Sequence, residues 1–101
     1  MAVICTGSDR IMTASITGEV DHHRARAIME DLARNIDAAL PRDLTLDLEG
    51  VTFMDSSGIA VLLRARRRME ELGGTVKVLH VPDQAGKVLK AAGIDRLIPF
   101  F

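Results

Sequence analysis

The sequence predicts an α/β fold in which a mostly parallel sheet of four to five strands is covered by about three helices. Three observations predict it. Residues 44–48 (Leu-Thr-Leu-Asp-Leu) and 75–79 (Thr-Val-Lys-Val-Leu) are short, apolar and partly alternating, as strands are. Residues 25–39, 57–72 and 83–92 carry apolar side chains at helical spacing. The joining loops are short, and strand–helix–strand units with short loops set their strands parallel with right-handed crossovers. The first strand lies outside that alternation and is free to run antiparallel at an edge.

The chain has 101 residues, enough for one domain spanning 1–101 with a core of its own. Its first dozen residues read as strand material around a turn cluster, Gly7-Ser8-Asp9. Residues 11–17 alternate loosely and end at Gly18, so the two segments suggest a hairpin. Asp21 suits the N-cap of the first helix, whose buried face is Ala25, Ile28, Leu32, Ile36 and Ala39, and Pro41 ends it. After strand 44–48 and the Glu49-Gly50 turn, residues 51–54 lead into a second helix. That helix buries Ile59, Leu62, Ala65, Met69 and Leu72 and stops at Gly73-Gly74. Pro82-Asp83 opens a third helix with Ala85, Val88, Leu89 and Ala92 on its inner face, and Gly93 closes it. Residues 94–101 form an apolar tail packed on the domain, with part of it available as a last strand.

Composition excludes several function classes. A net charge of −1 gives no case for a general nucleic-acid binder or a membrane-surface protein. The three aromatic residues are all Phe and offer no platform for stacking bases. The single cysteine, Cys5, cannot form an intrachain disulfide and fits a reducing compartment, and a small hydrophobe in an N-terminal strand outranks a reactive thiol as its role. The N-terminus lacks a basic region and a long apolar run, and no stretch is long enough to span a bilayer, so the expected location is the cytoplasm.

The segment with chemistry is Asp55-Ser56-Ser57-Gly58, where a strand gives way to a helix. A helix start has N–H groups without partners, and one Ser would cap it. The second Ser and the Asp exceed that need, and the helix dipole welcomes a phosphate there. On the residues alone, simple capping outranks a phosphorylation switch. Yet no Glu or Gln stands three residues after either Ser to complete a capping box. Gly58 serves either a close backbone approach or nothing more than a tolerant first turn.

His22-His23 cannot both face one point, and His80 lies far along the chain, so no metal site is expected. The basic run at 64–68 reads as a solvated helix face in which Arg67 and Glu71 form an i,i+4 pair, with a partner contact as the lesser reading. There is no Gly-x-Ser-x-Gly elbow and no Gly-rich phosphate loop. No catalytic residue and no cofactor are therefore expected.

The run Thr52-Phe53-Met54-Asp55-Ser56-Ser57-Gly58-Ile59 resembles the signature of bacterial anti-sigma-factor antagonists of the STAS domain family. Gly18-Glu19-Val20-Asp21-His22-His23 is similar to a second segment of that family, as are Gly73-Gly74 before a strand and Ala92-Gly93-Ile94 before an apolar ending. The resemblance covers nearly the whole chain in the right order, and it is close to the sporulation type. It implies a single STAS domain in which Ser56 is phosphorylated by an anti-sigma factor acting as an ATP-dependent serine kinase. Ser57 is then the neighbouring residue and the cap. By the same resemblance, Asp21, Asp55, Ser56, Ser57 and Gly58 lie on the partner-binding surface. The unmodified form binds the anti-sigma factor and frees a sigma factor for transcription; the phosphorylated form does not, and a phosphatase resets it. The alternative within the same resemblance is a STAS scaffold or a nucleotide-sensing domain of another signalling complex.

Overall fold

In a computed structural model that describes residues 2–101, the elements follow in the order β1 (Val3–Ser8), β2 (Ile11–Ile16), β3 (Gly18–Val20), α1 (Ala25–Ala39), β4 (Asp43–Asp47), β5 (Val51–Met54), α2 (Ser57–Glu71), β6 (Thr75–Leu79), α3 (Asp83–Ala91) and α4 (Ile94–Leu97). The main sheet has the order β1-β2-β4-β6. β2, β4 and β6 are parallel, and β1 is antiparallel at the edge, as expected.

Strand registry explains the core. Ala14, Leu46 and Val78 are register partners across β2, β4 and β6, and each is fully buried. Their neighbours along the strands alternate outward: Thr13, Thr45 and Asp47 remain half-buried. α1 and α2 pack against each other, α1 also meeting β1 and β2 and α2 meeting β6. α1 contributes Ala25, Ile28, Leu32 and Ile36, and α2 contributes Val61, Leu62, Ala65 and Met69. The expected faces are thus largely right, but Ala39 and Ala92 are exposed and Ile59 and Leu72 are only half-buried.

Several local details depart from the sequence reading. The hairpin turns at Asp9 and Arg10, both at positive φ (54° and 66°), so the β1–β2 connection is a two-residue turn one step later than Gly7-Ser8-Asp9. α2 does stop at Gly73. That residue takes φ 72°, its N–H reaches Glu70 C=O, and the Gly74 N–H reaches Met69 C=O, which satisfies the last carbonyls of the helix. The tail forms a short fourth helix because Ile94 and Ile98, one turn apart, are both buried. Beyond it Phe100 makes a single parallel bridge to Val78, and the Val78 N–H donates to Pro99 C=O. The tail thereby covers the outer edge of β6.

The main departure is a second, two-stranded parallel ribbon, β3–β5. By sequence, a strand ends at Gly18, Glu19 and Val20 belong to no element, and residues 51–54 are a lead-in to the second helix. Instead Val20 pairs with Met54, both buried, while Glu19 pairs with Phe53, both exposed. This ribbon carries the chain into the Asp55–Gly58 segment.

Candidate functional site

The two segments singled out in the sequence meet at the end of the β3–β5 ribbon. The Asp55 N–H donates to Val20 C=O at 3.1 Å, extending the ribbon by one bond. The Asp55 carboxylate then accepts twice: Oδ1 from the Ser57 N–H at 2.7 Å and Oδ2 from the His22 N–H at 3.2 Å. One carboxylate thus ties the start of α2 to the loop that precedes α1. These bonds hold the Asp55 carboxyl below its ordinary 3.8: the Ser57 N–H acts most strongly, and the Ser57 hydroxyl, the His22 N–H and the nearby His22 ring add to it against the cost of partial burial.

Asp21 organises the same loop. Its Oδ1 accepts from the His23 and Arg24 N–H groups, each at 3.0 Å, and its C=O accepts from Arg24 and Ala25. Asp21 therefore caps a turn that leads into α1, although the regular helix begins four residues later. His22 and His23 are exposed, with ring centroids 3.9 Å apart.

The expectation that a serine caps α2 is corrected. Ser56 stands at the N-cap position but makes no side-chain capping bond, and Ser57 is already helical. Asp55, one residue earlier, does the capping, because a carboxylate accepting from the N–H two residues on closes an Asx turn. The Gly58 N–H goes to Asp55 C=O and the Ile59 N–H to Ser56 C=O. The first three N–H groups of α2 are thus all occupied, and the helix end is less open to an anion than the sequence implied. Ser56 is left exposed, and among the described residues no side chain hydrogen-bonds its hydroxyl.

Gly58 is required by packing. A Cβ there would fall on the Met54 sulfur and within 2.5 Å of its Cγ, so the buried Met54 side chain uses the space that glycine leaves. A residue missed in the sequence is Gln84, on the first turn of α3. Its Oε1 accepts from the Met54 N–H at 2.8 Å and its Nε2 donates to the Met54 C=O at 2.7 Å. A lone Gln after a Pro-Asp helix start carries no sequence signal of that role.

Two other side-chain groupings lie elsewhere. His80 Nδ1 sits 3.2 Å from Asp47 Oδ1 and 3.8 Å from Glu49 Oε2, at the carboxyl ends of β6 and β4, so His80 is brought to two carboxylates that the sequence did not connect with it. The basic run pairs differently from the expected Arg67–Glu71. Arg66 meets Glu70 at 3.1 Å, and Arg68 meets Asp37 at 2.8 Å and Glu71 at 3.5 Å. Asp37 on α1 draws Arg68 across the interface between the helices, and Arg67 makes no ion pair among the described residues. No helix among these residues is long and apolar enough to cross a membrane.

A family model described as STAS domain matches residues 2–101. A protein of Paenibacillus polymyxa named anti-sigma F factor antagonist is 25% identical over 91 residues, covering 90% of this chain and 78% of the relative. An anti-sigma-factor antagonist (STAS) domain protein of Planctomyces limnophilus superposes with a TM-score of 0.84 at 26% identity, covering 100% of this chain and 90% of that one. The Bacillus cell fate determinant SpoIIAA, solved in its phosphorylated form, superposes with a TM-score of 0.74 at 23% identity, covering 99% and 91%.

Proposed function

This chain belongs to the STAS domain family, and from that premise we propose that it is an anti-sigma factor antagonist switched by phosphorylation of Ser56. The observation that carries the reading is the state of that residue: an exposed hydroxyl with no hydrogen-bond partner among the described residues, at the start of α2, beside a loop and a carboxylate locked in place around it. The names of the Paenibacillus and Planctomyces relatives support the antagonist role. A Bacillus protein of the same fold occurs in a phosphorylated form.

In this reading the anti-sigma factor docks over Asp21, Asp55, Ser56, Ser57 and Gly58 and releases its sigma factor. It also acts as the kinase. Ser56 Oγ bonds to the γ-phosphorus of ATP while the bond from that phosphorus to the β–γ bridging oxygen breaks. ADP leaves, and the hydroxyl proton passes to a base of the kinase. Ser56 acts as substrate, with no His ring bonded to it that would make it a nucleophile in its own right.

Phosphorylation adds about −1.5 to −2 charges. The N–H groups of Ser57, Gly58 and Ile59 are already taken, and the Asp55 carboxylate stands next to it. The new dianion is left facing the partner, where burying it without a counter-ion costs several kcal/mol (about 3–5 by analogy with a broken buried pair). The fold itself changes little, because Ser56 is exposed and its Oγ makes no hydrogen bond among the described residues. A phosphatase acting on the modified chain restores docking.

The test is incubation with an anti-sigma factor kinase and ATP, followed by intact mass and peptide mapping, with binding measured for unmodified, phosphorylated and Ser56→Asp chains. The expected result is one phosphoryl group on the Ser56 peptide and loss of binding on modification. Equal affinity of all three forms would rule the switch out, and saturable nucleotide binding without the partner would favour a sensor instead.

A further inference from the structure

We propose that Gln84 is the positioning residue for the phosphoacceptor segment, an assignment that rests on the Ser56 reading above. β5 pairs with β3 along one edge only, and α3 packs against β5. There the Gln84 carboxamide makes the two bonds that a neighbouring strand would make at a single residue: it accepts the Met54 N–H and donates to the Met54 C=O, at 2.8 and 2.7 Å. Met54 is the last residue of β5 and stands two positions before Ser56. On the other side of the same stretch, Val20 C=O receives the Asp55 N–H. The backbone just ahead of Ser56 is therefore clamped between β3 and the first turn of α3.

The clamp matters because, among the described residues, Ser56 has no side-chain bond of its own to fix it. The place of the Ser56 Cα–Cβ bond, from which Oγ swings, is set by the backbone at 54–55. Phosphoryl transfer depends on an in-line approach of that oxygen, and a displacement of about 1 Å in such a geometry costs on the order of 100-fold in rate. Gln84 is suited to the task by length and by carrying both a donor and an acceptor on one planar group. Asn is one methylene too short, Glu loses the donor, and Met keeps the bulk but neither bond.

The experiment compares wild type with Gln84→Met and with Val88→Ala, a change on the half-buried face of the same helix that leaves the clamp intact. All chains are assayed at a temperature where circular dichroism shows them folded, with an anti-sigma factor kinase and ATP. For Gln84→Met the expected result is a fall of roughly 10- to 100-fold in kcat for Ser56 phosphorylation with KM for the chain changed little, and faster amide exchange at Met54. Val88→Ala is expected to lower stability without that fall in kcat. An unchanged kcat for Gln84→Met, or an equal fall in both variants, would overturn the role of Gln84. A wild-type chain that takes up no phosphate would overturn the Ser56 reading itself.

Discussion

Replacing Gly58 by Ala tests the packing account of the switch segment, because two effects of opposite sign compete. Gly58 lies in the first turn of α2 and is buried. Ala in place of Gly gains up to about 1 kcal/mol of helix propensity in a helix interior, and less at an end. Against that stands the Met54 side chain, whose Cγ would lie 2.5 Å from the new Cβ. Met54 cannot retreat easily. Its backbone is held by β3 on one side and Gln84 on the other, and its side chain is 1% exposed. Overpacking of this kind costs about 1–3 kcal/mol, so the net effect is a loss of up to about 3 kcal/mol, or a fall in Tm of up to roughly 24 °C for a chain of this size. Thermal and urea unfolding would measure it. The double variant isolates the cause: Met54→Ala alone costs about 2–5 kcal/mol, but in its background Gly58→Ala is expected to be neutral or stabilising. A rise in Tm for the single variant, or additive losses in the double, would refute the reasoning.

Two further predictions concern titratable groups. The Asp55 carboxyl is held below its ordinary 3.8, foremost by the Ser57 N–H. A depressed folded pKa means that the stability from the ionised carboxylate is present above the unfolded pKa and is lost as pH falls through the folded one. Wild type should therefore lose Tm faster than Asp55→Asn below about pH 4, and parallel Tm curves for the two chains from pH 6 to pH 2 would contradict the bonding described. Burial, with Asp31 as a lesser contributor, raises the Cys5 thiol above its ordinary 9.0. Labelling with a thiol reagent at neutral pH should be slower in the native chain than in denaturant, and a native rate matching that of a free thiol would show Cys5 to be open.

The strand periods, most of the inward faces of α1 and α2 (Val61 excepted), and the stops at Pro41 and Gly73 were legible in the sequence. Each depends on residues within a few positions of one another, where period and punctuation carry the signal. The β3–β5 ribbon was not legible. Strands of three and four residues are too short to show a period, and the pairing of Val20 with Met54 is made far along the chain. The capping of α2 was misassigned for a related reason. Asp, Ser and Ser in a row are each competent caps, and the choice of Asp55 depends on its second bond to His22, 33 residues away.

The chain's own order of residues determined that an α/β sheet would form and that a carboxylate, two hydroxyls and a glycine would stand at the mouth of its second helix. Tertiary structure alone decided what surrounds them: which helix-start N–H groups are spent, that Met54 fills the space above Gly58, and that Gln84 grips the strand from 30 residues away. The reason is physical. Helix and strand tendencies act between near neighbours along the chain, whereas a polar side chain bonds whichever backbone group the finished packing brings within about 3 Å, and that is fixed only when distant segments close on one another.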